Sequence, residues 1–249
     1  MLDTRLPSRR RGLRLTGAGT GPAVRGAVLA CAIAGLVLVC LLRFMPGTGV
    51  PSGMAALLGF ACAIAVAGVG FLRSYPHDRL GWCNAVTVLR LALVMSLVSP
   101  LLSGHGATWA TLGVAVLALA LDGVDGWLAR REGLVSGFGA RFDMEVDSAL
   151  ALVLSIGAAI EHQTLAILIL LGLPRYLFLA ASWLVPWLRR GLPERFSRKT
   201  VCVLQIAVLI ALQIPVLPDA AALAMAGLAA LAVAWSFAVD VVWLGRRRR

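Results

Sequence analysis

Residues 121–147 read LDGVDGWLARREGLVSGFGARFDMEVD, and this stretch decides how the chain is read. Asp122 and Asp125 lie three residues apart, and Asp143 and Asp147 lie four apart, so on helices each pair shares one face. Gly126 and Ala129 fall on or near the face of the first pair. A short glycine-rich link, Ser136-Gly137-Phe138-Gly139, separates the pairs, and a short link favours antiparallel packing of the two helices. Four carboxylates brought together repel one another and resist ionisation. They are also costly beside hydrocarbon, and the segments on either side are strongly apolar. A divalent cation removes both difficulties. An all-oxygen ligand set suits hard ions such as Mg2+, Ca2+ or Mn2+, and four carboxylates can hold two of them.

The surroundings of this window are those of a membrane protein. Of the 249 residues 60% are hydrophobic and 14% charged, and the mean hydropathy is +0.89. A soluble domain of this length is far more polar. The expected fold is therefore all-α, a polytopic membrane helix bundle. Eight apolar stretches are long enough to span a bilayer, at about 24–44, 53–72, 82–103, 107–130, 141–161, 163–188, 199–217 and 219–244. The basic start precedes the first of these. With Arg43 behind that stretch and no small-residue cleavage site close by, it reads as an uncleaved span rather than a signal peptide.

The formal net charge is +11, and its placement points to a membrane surface rather than to nucleic acid. With the N-terminus in the cytoplasm and eight alternating spans, 20 of the 23 Lys and Arg residues fall on the inner side. The positive-inside rule then puts both termini and the aspartate window on the cytoplasmic side of a bacterial-type inner membrane. Arg246 to Arg249 read as an inner-face anchor for anionic lipid. The five cysteines have no zinc-type spacing and sit mostly in apolar runs. His77, His105 and His162 fall in connecting segments and receive no role.

The aspartate window fits the pattern D-x2-D-G-x2-A-R-x8-G-x3-D-x3-D at Asp122, Asp125, Gly126, Ala129, Arg130, Gly139, Asp143 and Asp147. This is the signature of the CDP-alcohol phosphatidyltransferase family, and the chain resembles that family from about residue 82 to its end. Asn84, Thr87 and Arg90 resemble the N-x2-T-x2-R opening of the family's first core helix. Lys199, Thr200 and Gln205 resemble the K-T-x4-Q element of phosphatidylglycerophosphate synthases. That subfamily, the nearest within the family, usually reads F-L-D-P-x-A-D-K around the last two aspartates. Phe142 to Ser148 here lack its proline and lysine.

The resemblance implies a six-helix core over 81–249, preceded by a basic tail (1–23) and two additional spans (24–80). It implies transfer of a phosphatidyl group from a CDP-lipid, usually CDP-diacylglycerol, to a small polar alcohol, with release of CMP. It also implies Mg2+ or Mn2+ as cofactor, two ions held by Asp122, Asp125, Asp143 and Asp147, with Asp147 as the catalytic base. Asn84, Thr87, Gly126, Ala129, Arg130 and Gly139 would bind the CDP-lipid. Arg175, within the sixth span, and Lys199, with Arg198 nearby, would bind the phosphate of a phosphorylated acceptor. A homodimer is expected from the resemblance alone. Two other readings compete with the enzyme. A cation transporter would use the aspartates as a permeation site, but such sites lie near mid-membrane in repeated halves, and no repeat is visible here. A catalytically silent membrane scaffold would leave the intact motif without a purpose.

Overall fold

In the computed structural model of the chain, residues 22–42, 48–105, 107–162, 165–185 and 196–246 are described. They form ten helices: α1 (Pro22–Leu42), α2 (Val50–Ser74), α3 (Gly81–Ser96), α4 (Val98–Leu102), α5 (Trp109–Glu132), α6 (Gly137–His162), α7 (Leu165–Gly172), α8 (Pro174–Leu184), α9 (Phe196–Ala211) and α10 (Asp219–Arg246). The protein is an all-helical bundle. Most of the basic N-terminal tail, Arg43, Arg189, Arg190, Arg195 and Arg247 to Arg249 lie outside the described residues.

Four units are long and apolar enough to cross a membrane: α2, α3 continued by α4, α5, and α10. Their outward faces carry large bare side chains, among them Leu58, Val66, Leu228, Leu231 and Trp235, each about 60–75% exposed. Such a girdle is intolerable in water and natural against lipid tails. With the family evidence given below, this identifies an integral membrane protein.

The expected span 82–103 is present as one unit, Gly81–Leu102, with a kink at Leu97. Pro100 has no N–H to return to Ser96, and the backbone tightens there, with the Leu97 N–H bonding the Val94 carbonyl. The stretch 163–188, in contrast, is not continuous. It divides at Leu173, and Pro174 occupies the first turn of α8. The carbonyl of Leu171, near the break, is taken instead by the Gln205 side chain from α9. Gln205 of the K-T-x4-Q element therefore serves the fold. The seventh stretch is also shorter than expected, because α9 ends at Ala211 and turns fill 212–218.

The antiparallel pairing expected of the two aspartate helices is also corrected. Both α5 and α6 pack on α3, and they form no extensive interface with each other. α3 stands between them as a spine and is the most buried of the spanning units.

α2 braces the start of α6. Phe71 is fully buried, with its ring 4.5 Å from that of Phe138, 5.7 Å from Phe142 and 5.3 Å from Tyr75. Aromatic pairs at such spacings add to the area they bury. Phe138 also reaches so close to Gly70 that a Cβ there would lie 2.4 Å from the ring.

α6 and α7 cross at Gly172. A Cβ at this position would sit 2.0 Å from Ser155 Oγ and 2.9 Å from the Leu152 Cα. The second neighbour is backbone and cannot rotate away. Gly172→Ala should therefore destabilise the protein by about 1–3 kcal/mol, the usual cost of overpacking, and Ser155→Ala should rescue it only partly. Thermal unfolding of the detergent-solubilised variants would measure this, and full rescue would contradict the close backbone crossing.

Candidate active site

The carboxylates are placed by the way α5 ends and α6 begins. Gly133, with φ +66°, takes the left-handed conformation, and the Leu134 N–H returns to the Ala129 carbonyl at 3.0 Å. This is a Schellman-type stop. Three residues on, the Ser136 hydroxyl accepts the Gly139 N–H at 3.0 Å and starts α6. The compact turn leaves Asp122 and Asp125 on α5 facing the same region as Asp143 and Asp147 on α6.

Oxygens of Asp122, Asp143 and Asp147 lie within 4.8 Å of one another. Their side chains are 31–39% exposed, so the trio opens outward. Asp125 stands apart from the trio and is buried, accepting Thr87 Oγ1 at 3.0 Å and Arg90 Nη1 at 2.8 Å. The structure thus gathers three of the four expected metal ligands and sets the fourth behind them.

The centre of the arrangement is Arg90, only 1% exposed. Its Nε donates to the Ala118 carbonyl at 3.2 Å. Nη1 donates to Asp125 and Asp143; Nη2 donates to Asp147 and lies 2.8 Å from Asp122 Oδ1. A guanidinium has five N–H groups, and here five acceptors surround it. No role was expected for Arg90 from sequence. Two signals were available: its place three residues after Thr87 in N-x2-T-x2-R, and its charge within an apolar span.

Beneath the carboxylates lies a layer of committed polar groups. Asn84 donates to Tyr75 Oη at 2.8 Å and to the Leu80 carbonyl at 2.5 Å. Tyr75 Oη itself donates to the Leu80 carbonyl at 3.0 Å. Tyr75 lies just beyond the end of α2, and burial pushes its phenol up to about 12, so it remains a donor. Thr87 Oγ1 also faces the Cys83 carbonyl at 3.1 Å. Glu132, at the end of α5, accepts the Trp82 N–H at 3.1 Å through its side chain and Arg79 Nη2 at 3.3 Å through its carbonyl. These bonds fix the start of α3 against the end of α5. Tyr75 and Glu132 carry no motif that would have marked them.

The remaining expected residues fall as follows. Gly126 and Ala129 are half-buried and Arg130 is exposed, with Arg130 Nη1 lying over Gly126, 3.6 Å from where a Cβ would be. Gly139 faces Asn84 Oδ1 at a like distance. Arg175 pairs with Glu145 of α6 rather than with the four aspartates. Lys199 lies in α9, and its side chain is outside the described residues; its neighbour Arg198 lies 3.6 Å from buried Asp240. Of the histidines, His162 is structural, its ring bridging Asp219 and the Leu212 carbonyl. The cavity of about 450 Å³ between α1 and the start of α3, bordered by Ala27, Cys31, Trp82 and Glu132, lies away from the carboxylate trio.

The chemistry of the donor set fits divalent cations. One guanidinium leaves four ionised carboxylates three charges short of neutrality, and it engages one oxygen of each, leaving the other for a ligand. The family model for CDP-alcohol phosphatidyltransferases matches residues 81–241, well over half of the chain and the whole of the site. The chain belongs to the CDP-alcohol phosphatidyltransferase family. No curated protein and no solved structure matches it. As a member, it has the architecture of a membrane transferase that moves a phosphatidyl group from a CDP-alcohol.

The Thr87 hydroxyl is a charge-assisted donor to a buried carboxylate, worth about 1.5–3 kcal/mol. Thr87→Val should lower stability by that amount in thermal unfolding, and Thr87→Ser should restore most of it. A Thr87→Val variant as stable as the wild type, having lost only the hydroxyl, would show that this bond contributes nothing.

Proposed function

We propose that the protein transfers the phosphatidyl group of CDP-diacylglycerol to a small polar alcohol, releasing CMP, in a divalent-metal-dependent reaction. The observation that carries this reading is the trio Asp122, Asp143 and Asp147, whose oxygens lie within 4.8 Å of one another inside the family-matched segment. These three, backed by Asp125, would hold Mg2+ or Mn2+. Such ions, when bound, supply positive charge for the pyrophosphate of the donor lipid.

The chain's own residues do the rest. Gly126 and Gly139 would lie against the CDP moiety, Gly139 being packed beside Ser136 and Asn84, and Arg130 offers a guanidinium to its phosphates. Ala129 shares this face, and Asn84 and Thr87 support it from below. Asp147 would take the proton of the acceptor hydroxyl. The acceptor oxygen bonds to the phosphatidyl phosphorus while that phosphorus loses its bond to the CMP oxygen, and CMP departs with the electron pair. In-line geometry and a fixed donor are most of what this displacement demands. The distribution of arginines favours a cytoplasmic site, with both termini on that side. Arg175 and Lys199 remain the residues to test for an acceptor phosphate.

The test is release of labelled CMP from CDP-diacylglycerol by purified protein with Mg2+ or Mn2+ and a panel of alcohols. Asp147→Ala and Asp122→Ala should each cut release by about 10²-fold or more while the protein still inserts in the membrane. Excess chelator should silence the wild type. Unchanged turnover in both variants would refute the site.

A further inference from the structure

We infer that Arg90 is a built-in counter-cation that keeps the four-carboxylate cage assembled while no divalent ion is bound, an inference that rests on the metal-dependent reading above. Four observations converge on it. Arg90 is essentially sealed from solvent. It reaches all four aspartates, one oxygen of each, and spends its last donor on the Ala118 carbonyl of α5. The carboxylates come from α5 and α6, which have no extensive interface of their own, so the guanidinium is the bridge between them. Finally, Asp125 is buried and lies outside the trio, held by Arg90 and Thr87. A lysine could not fill this place, since it has three donors on one nitrogen instead of a planar fork of five.

Charge arithmetic gives the consequence a sign. With all four aspartates ionised, the metal-free cage carries −3 with Arg90 and −4 without it. With two divalent ions bound it carries +1 and 0. Loss of Arg90 therefore harms the metal-free protein more than the loaded one. By linkage, a ligand that binds the folded state stabilises it in proportion to its affinity. The stabilisation by cation must then grow when Arg90 is removed. A purely structural arginine, acting through the Ala118 carbonyl, would lower both states alike.

The experiment is thermal unfolding of the full-length protein in detergent, with EDTA and with saturating Mn2+, for the wild type, Arg90→Met and Arg90→Lys. Arg90→Met should melt about 6 °C or more below the wild type in EDTA. It should recover much of that in Mn2+, so that its gain on adding Mn2+ is about twice the wild-type gain or more. Arg90→Lys should fall between the two. Equal lowering with and without Mn2+, and hence an unchanged gain, would overturn the inference. Should Arg90→Met fail to accumulate, Arg90→Gln, which also removes the charge, decides: a larger gain than the wild type supports the counter-cation, and an equal gain overturns it. A wild type indifferent to Mn2+ would overturn the metal reading and this inference with it, whereas a responsive wild type with unresponsive differences among variants overturns this inference alone.

Discussion

The site depends on one imbalance: a single buried guanidinium faces four carboxylates. Removing one partner from a buried ion pair costs about 3–5 kcal/mol, because the other charge is left without compensation. Arg90 therefore cannot be considered apart from the aspartates, and the aspartates cannot be brought this close without it. The remaining negative charge is what suits the site to cations and, through them, to a pyrophosphate. The same feature explains why Asp122, Asp143 and Asp147 keep a third of their surface open while Asp125 is sealed. Three face the ligand side, and one anchors the arginine from behind.

Holding Arg90 in place is the task of α3, and much of the bundle converges on that helix. Its start is pinned by Glu132 from α5 and by Tyr75 from the end of α2. Its middle carries Thr87 and Arg90 to the aspartates. Its continuation turns at Leu97, where Pro100 withdraws a hydrogen bond. The family match begins at residue 81, so α1 and α2 lie ahead of it, yet α2 is not idle. Phe71 and Tyr75 pack on Phe138 and Phe142 in the first turns of α6, one residue before Asp143. Movement of α2 would be felt directly at Asp143 and Asp147 of the carboxylate cluster. The additional helices thus extend the support of the site rather than adding a separate unit.

How much of this could be read from sequence follows from the range of each interaction. The helical class, the lipid-facing composition and the aspartate spacing are local properties, and local periodicity reveals them. Gly133 and Ser136 are ordinary stop and start residues, legible as a turn. What sequence could not reveal is contact between distant segments. Nothing in residues 137–162 announces that α6 leans on α3 rather than on α5. Nothing near Gly172 announces that its missing side chain admits Ser155. Arg90 was visible as a charge in an apolar span, but its reach to aspartates 32 to 57 positions away was not. The kink at Leu97 and the break at Leu173 were signalled by Pro100 and Pro174. The hydropathy of the flanking residues, which is indifferent to a missing N–H, outweighed those signals.

The pairing of Arg175 with Glu145 bears on the acceptor. Glu145 lies between Asp143 and Asp147 in sequence but off their shared face, and it holds the Arg175 guanidinium. In the phosphatidylglycerophosphate synthase pattern, a proline precedes that position and a lysine follows the final aspartate; here Met144 and Ser148 stand there. The chain thus has one fewer cation beside the last aspartate, and its nearby arginine is already engaged. If Arg175 binds an acceptor phosphate, as proposed, that phosphate would have to displace the Glu145 carboxylate, exchanging one anion for another of higher charge, whereas an uncharged alcohol would leave the pair intact. Glu145 is therefore the side chain whose removal separates the two acceptor classes, because its loss frees Arg175 for an anion and gives nothing to a neutral alcohol.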